Sequence, residues 1–97
     1  MSDRKPAIGT LHLVNKAPDQ PRFVACMQAL SSHDVVVLAE NAVLACADSG
    51  LTLPEHWLAL SADVEARGLQ SVCEEARLID YDGLVRLTEN HHKIITW

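Results

Sequence analysis

The stretch Asp80-Tyr81-Asp82-Gly83-Leu84-Val85-Arg86-Leu87-Thr88-Glu89-Asn90-His91-His92-Lys93-Ile94-Ile95-Thr96-Trp97 decides the reading of the fold. Asp80 is suited to cap a helix, because its carboxylate can accept from the free N–H groups of a first turn. Leu84, Val85 and Leu87 then return at helical intervals, predicting a helix from Tyr81 to about His91. Past two histidines, the β-branched pair Ile94-Ile95 predicts a short strand over residues 93–96. The chain thus ends on a helix, an edge strand and a tryptophan.

Upstream, the same alternation repeats. Strands are predicted at Thr10–Val14, at Val35–Leu38, at His56–Leu60 and at Arg77–Ile79. The run Val35-Val36-Val37-Leu38 is the clearest, since four consecutive large aliphatics need cover on both faces of a sheet. Helices are predicted from Pro21 to about Ser31, from Ala42 to Asp48 with Gly50 as its left-handed stop, and from Ala62 to Arg67 with Ser61 as N-cap and Gly68 as stop. Residues 69–76 are poorly patterned and read as a loop or ragged helix, and residues 1–9 as a loose lead-in to a single domain over residues 10–97. Strand and helix in alternation predict an α/β fold, three layers deep, around a small, mostly parallel five-stranded sheet. Because parallel crossovers are right-handed, strands stepping in one direction put their helices on one face. The helix from Tyr81 is then the main cover of the other face.

Composition bounds the function. A chain of 97 residues is one domain with a small core, and it often relies on partners. Four aromatic residues leave that core to aliphatics. The formal charge is −5, split as +2 up to Arg22 and −7 beyond it, which argues against a direct grip on nucleic acid. Cys26, Cys46 and Cys73 are odd in number and widely spaced, pointing to neither a disulfide framework nor a zinc site and leaving a reducing cytoplasm as the expected location. No apolar run is long enough to span a membrane. No glycine-rich phosphate loop follows any predicted strand, so no cofactor is expected.

The residues Leu11-His12-Leu13-Val14-Asn15-Lys16-Ala17-Pro18, the segment Ala62-Asp63-Val64-Glu65-Ala66-Arg67-Gly68-Leu69, and above all Asp80-Tyr81, Leu84-Val85-Arg86-Leu87-Thr88, His91 and terminal Trp97 resemble the TusB/DsrH family. The likeness is collinear from about Gly9 to the last residue. It implies a DsrEFH-like fold and a subunit that assembles with TusC/DsrF-like and TusD/DsrE-like subunits into a heterohexamer. Such a complex passes persulfide sulfur to a TusE/DsrC-like carrier, for 2-thiolation of tRNA wobble uridine in one branch and for sulfur oxidation in the other. The family's persulfide cysteine belongs to the TusD/DsrE-like subunit, so the resemblance makes this chain an accessory one. Glu40-Asn41 stands where an Asp-Gly pair is usual, and asparagine tolerates the same turn.

Cys26 is the one candidate for sulfur chemistry, matching a cysteine of DsrH-type sequences. Its neighbours Phe23, Met27 and Leu30 give it the alternative of a small apolar core residue. Cys46 reads as core, and Cys73 as exposed but with its thiolate disfavoured by Glu74 and Glu75. His12 reads as a hydrogen-bonded core histidine. His91 and His92 project roughly 100° apart on a helix and do not chelate, which leaves His91 a capping or contact role. Tyr81 and Trp97 are expected at a subunit interface, where an indole beside a terminal carboxylate avoids burying that charge. Three functions follow: an accessory subunit of a sulfur-relay complex, a subunit whose Cys26 itself carries persulfide, or a free-standing homo-oligomeric binding module.

Overall fold

Five short runs of aliphatic and β-branched residues pair into one sheet in the computed structural model, which describes residues 9–97. The predicted lead-in therefore lies outside the described residues, except for Gly9. Strands β1 (Leu11–Val14), β2 (Val35–Leu38), β3 (Trp57–Leu60), β4 (Leu78–Ile79) and β5 (Ile94–Thr96) lie in the order β4-β3-β2-β1-β5, and every neighbouring pair is parallel. The expected α/β class holds, and the sheet is parallel throughout. Parallel neighbours need a crossover each. Helix α1 (Pro21–Ala29), a 3-10 helix (Glu40–Ala47) and α2 (Ser61–Ala66) link the first four strands, and α3 (Tyr81–Asn90) carries the chain from one sheet edge to the other.

Side-chain alternation divides the strands between two cores. His12, Val14, Val36, Leu38, Trp57 and Ala59 face α1, the 3-10 helix and α2, which contribute Phe23, Cys26, Ala42, Val43, Ala45 and Val64. Val36, Leu38 and Phe23 are fully or almost fully buried there, each stabilising by about 1.5–3 kcal/mol relative to exposure. The opposite face carries Leu11, Val37 and Leu60, and α3 covers it with Leu84 and Leu87. That cover is thin. No residue of α3 is fully buried, and Leu13, Val35, Leu58 and Ile79 on the strands beneath remain only half-buried.

Local chemistry sets the element ends. The Asp80 carboxylate accepts from Gly83 N–H at 2.8 Å, the predicted cap of α3. Gly68, at φ 67°, closes α2: its N–H donates to Glu65 C=O and that of Leu69 to Val64 C=O, so two last-turn carbonyls are satisfied by a left-handed residue. Gly9 is needed for a different reason, since a Cβ there would collide with the main-chain carbonyl of His33.

Several expectations are corrected. The second helix is 3-10 and begins at Glu40, and its end is no left-handed glycine: Gly50 N–H donates to the Asp48 carboxylate instead. The left-handed residue of the preceding turn is Glu40, at φ 50°, rather than Asn41. Its strained backbone is held by an N–H bond to the Asp63 carboxylate at 2.7 Å, while Arg67 binds the Asn41 side-chain oxygen. Ser61 is the first residue of α2 and makes no cap, because β3 runs into the helix through Leu60 without a linker. Arg77 lies in a 3-10 turn (Glu75–Arg77), its guanidinium 4.9 Å over the Trp57 ring and donating to Glu55 C=O. Cys73 is buried, because its turn folds under against the 3-10 helix.

Candidate functional site

The terminal tryptophan is tied to the first strand. Parallel pairing sets Leu11, His12 and Leu13 opposite Ile94, Ile95 and Thr96, and Trp97 N–H continues the ladder to Leu13 C=O at 2.8 Å. That register brings the Trp97 side chain onto the α1 face beside His12. The indole Nε1–H donates to His12 Nδ1 at 3.0 Å, with the two rings 22° from parallel. An indole N–H is a donor only, so Nδ1 carries a lone pair and the ring proton sits on Nε2. Nε2–H then donates to the Asp34 carboxylate at 2.9 Å.

Asp34 anchors the other end of this chain of bonds. It precedes β2, and the β1–β2 register sets it opposite Thr10, whose N–H it accepts at 2.8 Å; it also accepts from Ser31 N–H at 3.1 Å. Burial pushes the Asp34 carboxyl up, but the N–H donors of Thr10 and Ser31 and the His12 ring together outweigh it and hold the group below its ordinary value. His12 is 1% exposed, and all its polar atoms are satisfied by this arrangement. The Asp34–His12–Trp97 relay thus joins three segments far apart in sequence and locks the C-terminal edge strand. Lys16 Nζ lies 3.4 Å from the Trp97 main-chain oxygen.

The predicted residues fall into separate places. Trp97 is half-buried in the relay and against the α1-side core. His91 ends α3, its Nδ1 donating to Leu87 C=O at 2.7 Å, a capping contact. Tyr81 is 58% exposed at the start of α3, with Val85, 53% exposed, one turn on. Ile94 of β5 is also exposed. Exposed apolar side chains therefore stand on α3 and on the edge strand. Cys26 lies in the α1-side core, the cluster against which Trp97 packs. It has no solvent exposure, and burial pushes its thiol up to about 11, so at neutral pH its thiolate is scarce and shielded from any sulfur donor.

Two features escaped the sequence reading. Asp34 looked like a lead-in to β2, although aligning Leu11 with Val35 as parallel partners would have put it next to His12. Cys46 and Cys73 meet with Sγ atoms 3.0 Å apart, a contact no spacing rule signals. Among the described residues, no group of three side chains is placed to hold a metal ion, and no helix is long and apolar enough to cross a membrane.

Comparison with known proteins places these features in a lineage. The sequence signature of the family described as DsrH like protein matches residues 16–94. Protein TusB of Escherichia coli (strain K12) is 33% identical over 94 residues, covering 90% of this chain and 99% of that protein. Protein TusB of Photorhabdus laumondii is 31% identical over the same share of each chain. Among solved structures, the solution NMR structure of protein Tm0979 from Thermotoga maritima superposes with a TM-score of 0.66 at 27% identity, over 88% of this chain and 97% of that one. With the signature running from the β1–α1 loop into β5, and the parallel five-stranded sheet shared with that structure, the chain belongs to the DsrH/TusB family.

Proposed function

We propose that this chain is an accessory subunit of a cytoplasmic sulfur-relay complex. It assembles with TusC/DsrF-like and TusD/DsrE-like subunits, in which the latter carries persulfide sulfur toward a TusE/DsrC-like carrier that serves 2-thiolation of the tRNA wobble uridine. Family membership supports this reading, and one structural observation carries it: the α3 face of the sheet is only half-covered, while Tyr81 and Val85 on α3 and Ile94 on β5 are exposed. A sheet face left with half-buried aliphatics gains when a partner completes the layer. The shielded Cys26 thiol supports an accessory rather than a sulfur-carrying role. A net charge of −5 disfavours a direct grip on RNA, so contact with tRNA is assigned to other components.

Co-expression with TusC- and TusD-like partners tests the proposal. A stable ternary complex in size-exclusion chromatography is expected, and a chain that elutes alone as a monomer would overturn it. Persulfide labelling separates the second reading. After exposure to a loaded sulfur donor, added sulfur is expected on the partner subunit, and sulfur on Cys26 would make this chain a carrier.

A further inference from the structure

Cys46 and Cys73 lie 27 residues apart, on opposite sides of β3 and α2 in sequence, yet their sulfurs are 3.0 Å apart. Both are free thiols. Cys46 sits in the last turn of the 3-10 helix over Glu40–Ala47 and is partly open to solvent; Cys73 lies beneath it, 6% exposed, in the turn after α2 where its N–H donates to Leu69 C=O. Closing a disulfide requires the sulfurs to approach to about 2.05 Å, a shift of about one ångström. A 3-10 helix without a side-chain cap and a turn held by single main-chain bonds can supply it. Cys26, fully buried on the inner side of α1, is not part of this pair.

We propose that Cys46 and Cys73 form a reversible disulfide site, closed by thiol–disulfide exchange with a low-molecular-weight disulfide. Cys46, the accessible member, attacks one sulfur of the oxidant as its thiolate, giving a mixed disulfide and releasing one small thiol. Cys73 then attacks the Cys46 sulfur and expels the second. Two cysteine thiols are oxidised, one small disulfide is reduced to two thiols, and the cysteine protons end on those thiols. Excess small thiol reverses both steps. Burial pushes the Cys46 thiol up to about 12, so closure is slow at neutral pH, on the order of minutes to hours. The bond staples the 3-10 helix to the turn before β4, fixing the cover of the β3 side of the sheet and restricting the unfolded chain.

The test is incubation of the reduced, natively folded full chain with excess oxidised glutathione, followed by alkylation, intact mass measurement and a combined digest. Cleavage at Glu40 separates Cys26 from Cys46, and cleavage at Arg67 separates Cys46 from Cys73. The expected result is the loss of two hydrogen atoms from the intact chain and one linked pair of peptides carrying Cys46 and Cys73. Cys26 stays free, the thermal midpoint rises by several degrees, and dithiothreitol restores the starting state. C46A and C73A each abolish the link; should either fail to fold, the wild-type map decides alone. Three free thiols at equilibrium, glutathione retained on Cys46 beside a free Cys73, or a link through Cys26 would each overturn the proposal.

Discussion

Trp97→Phe isolates the chemistry that closes this fold. Phenylalanine keeps a ring against the α1-side core but removes the indole N–H, leaving His12 Nδ1 without its donor inside a site where the histidine is 1% exposed. An unsatisfied buried acceptor costs about 1–3 kcal/mol. For a domain of this length, each kcal/mol lowers the thermal midpoint by roughly 4–8 °C, so the substitution should lower it by about 4–24 °C. Equilibrium urea unfolding followed by circular dichroism reads the loss directly as a lower midpoint at unchanged slope. Nitrogen-15 NMR of the wild-type chain supplies the independent readout: His12 is expected with its proton on Nε2 and a bare Nδ1, and the Trp97 indole proton should exchange slowly. A variant within about 0.5 kcal/mol of the wild type, or a His12 ring protonated on Nδ1, would refute the relay.

Other consequences follow from the same geometry. Asp34→Asn should cost about 1.5–3 kcal/mol at neutral pH, because the Thr10, Ser31 and His12 donors lose a charged acceptor. The Asp34 carboxyl is held below its ordinary value, so its stabilisation is complete above the unfolded value, about 3.9, and is lost as pH falls through the folded one. Urea unfolding at decreasing pH should therefore show acid destabilisation in the wild type that Asp34→Asn lacks at this site. Gly9→Ala forces a methyl group into the His33 carbonyl and should destabilise by about 1–3 kcal/mol, measured by the same unfolding curves.

The sequence made the strands legible for simple reasons. Val35-Val36-Val37-Leu38 can only be buried from both sides, and right-handed crossovers with strands stepping in one direction then leave α3 as the main cover of the far face, where Leu84 and Leu87 do pack. Asp80 and Gly68 act through local backbone rules and were readable one turn at a time. Glu40 was not, because its positive φ is maintained by Asp63, a residue 23 positions away. The relay and the cysteine pair were hidden for the same reason. His12, Asp34 and Trp97 are each unremarkable in their own segments, and only strand register brings them within hydrogen-bond distance. Trp97 accordingly has an internal partner that reasoning from exposure alone did not reveal.

Assembly through the α3 and β5 surface is tested most directly by Val85→Glu combined with Ile94→Glu in the chain co-expressed with TusC- and TusD-like subunits. Both side chains are exposed in the isolated chain, 53% and 42%, so its own unfolding midpoint should stay within about 0.5 kcal/mol of the wild type. Two carboxylates in a desolvated contact cannot be accommodated without partners. The ternary complex formed by the wild type should therefore be absent with the double variant in size-exclusion chromatography. An intact complex carrying both glutamates would show that the subunits meet this chain elsewhere.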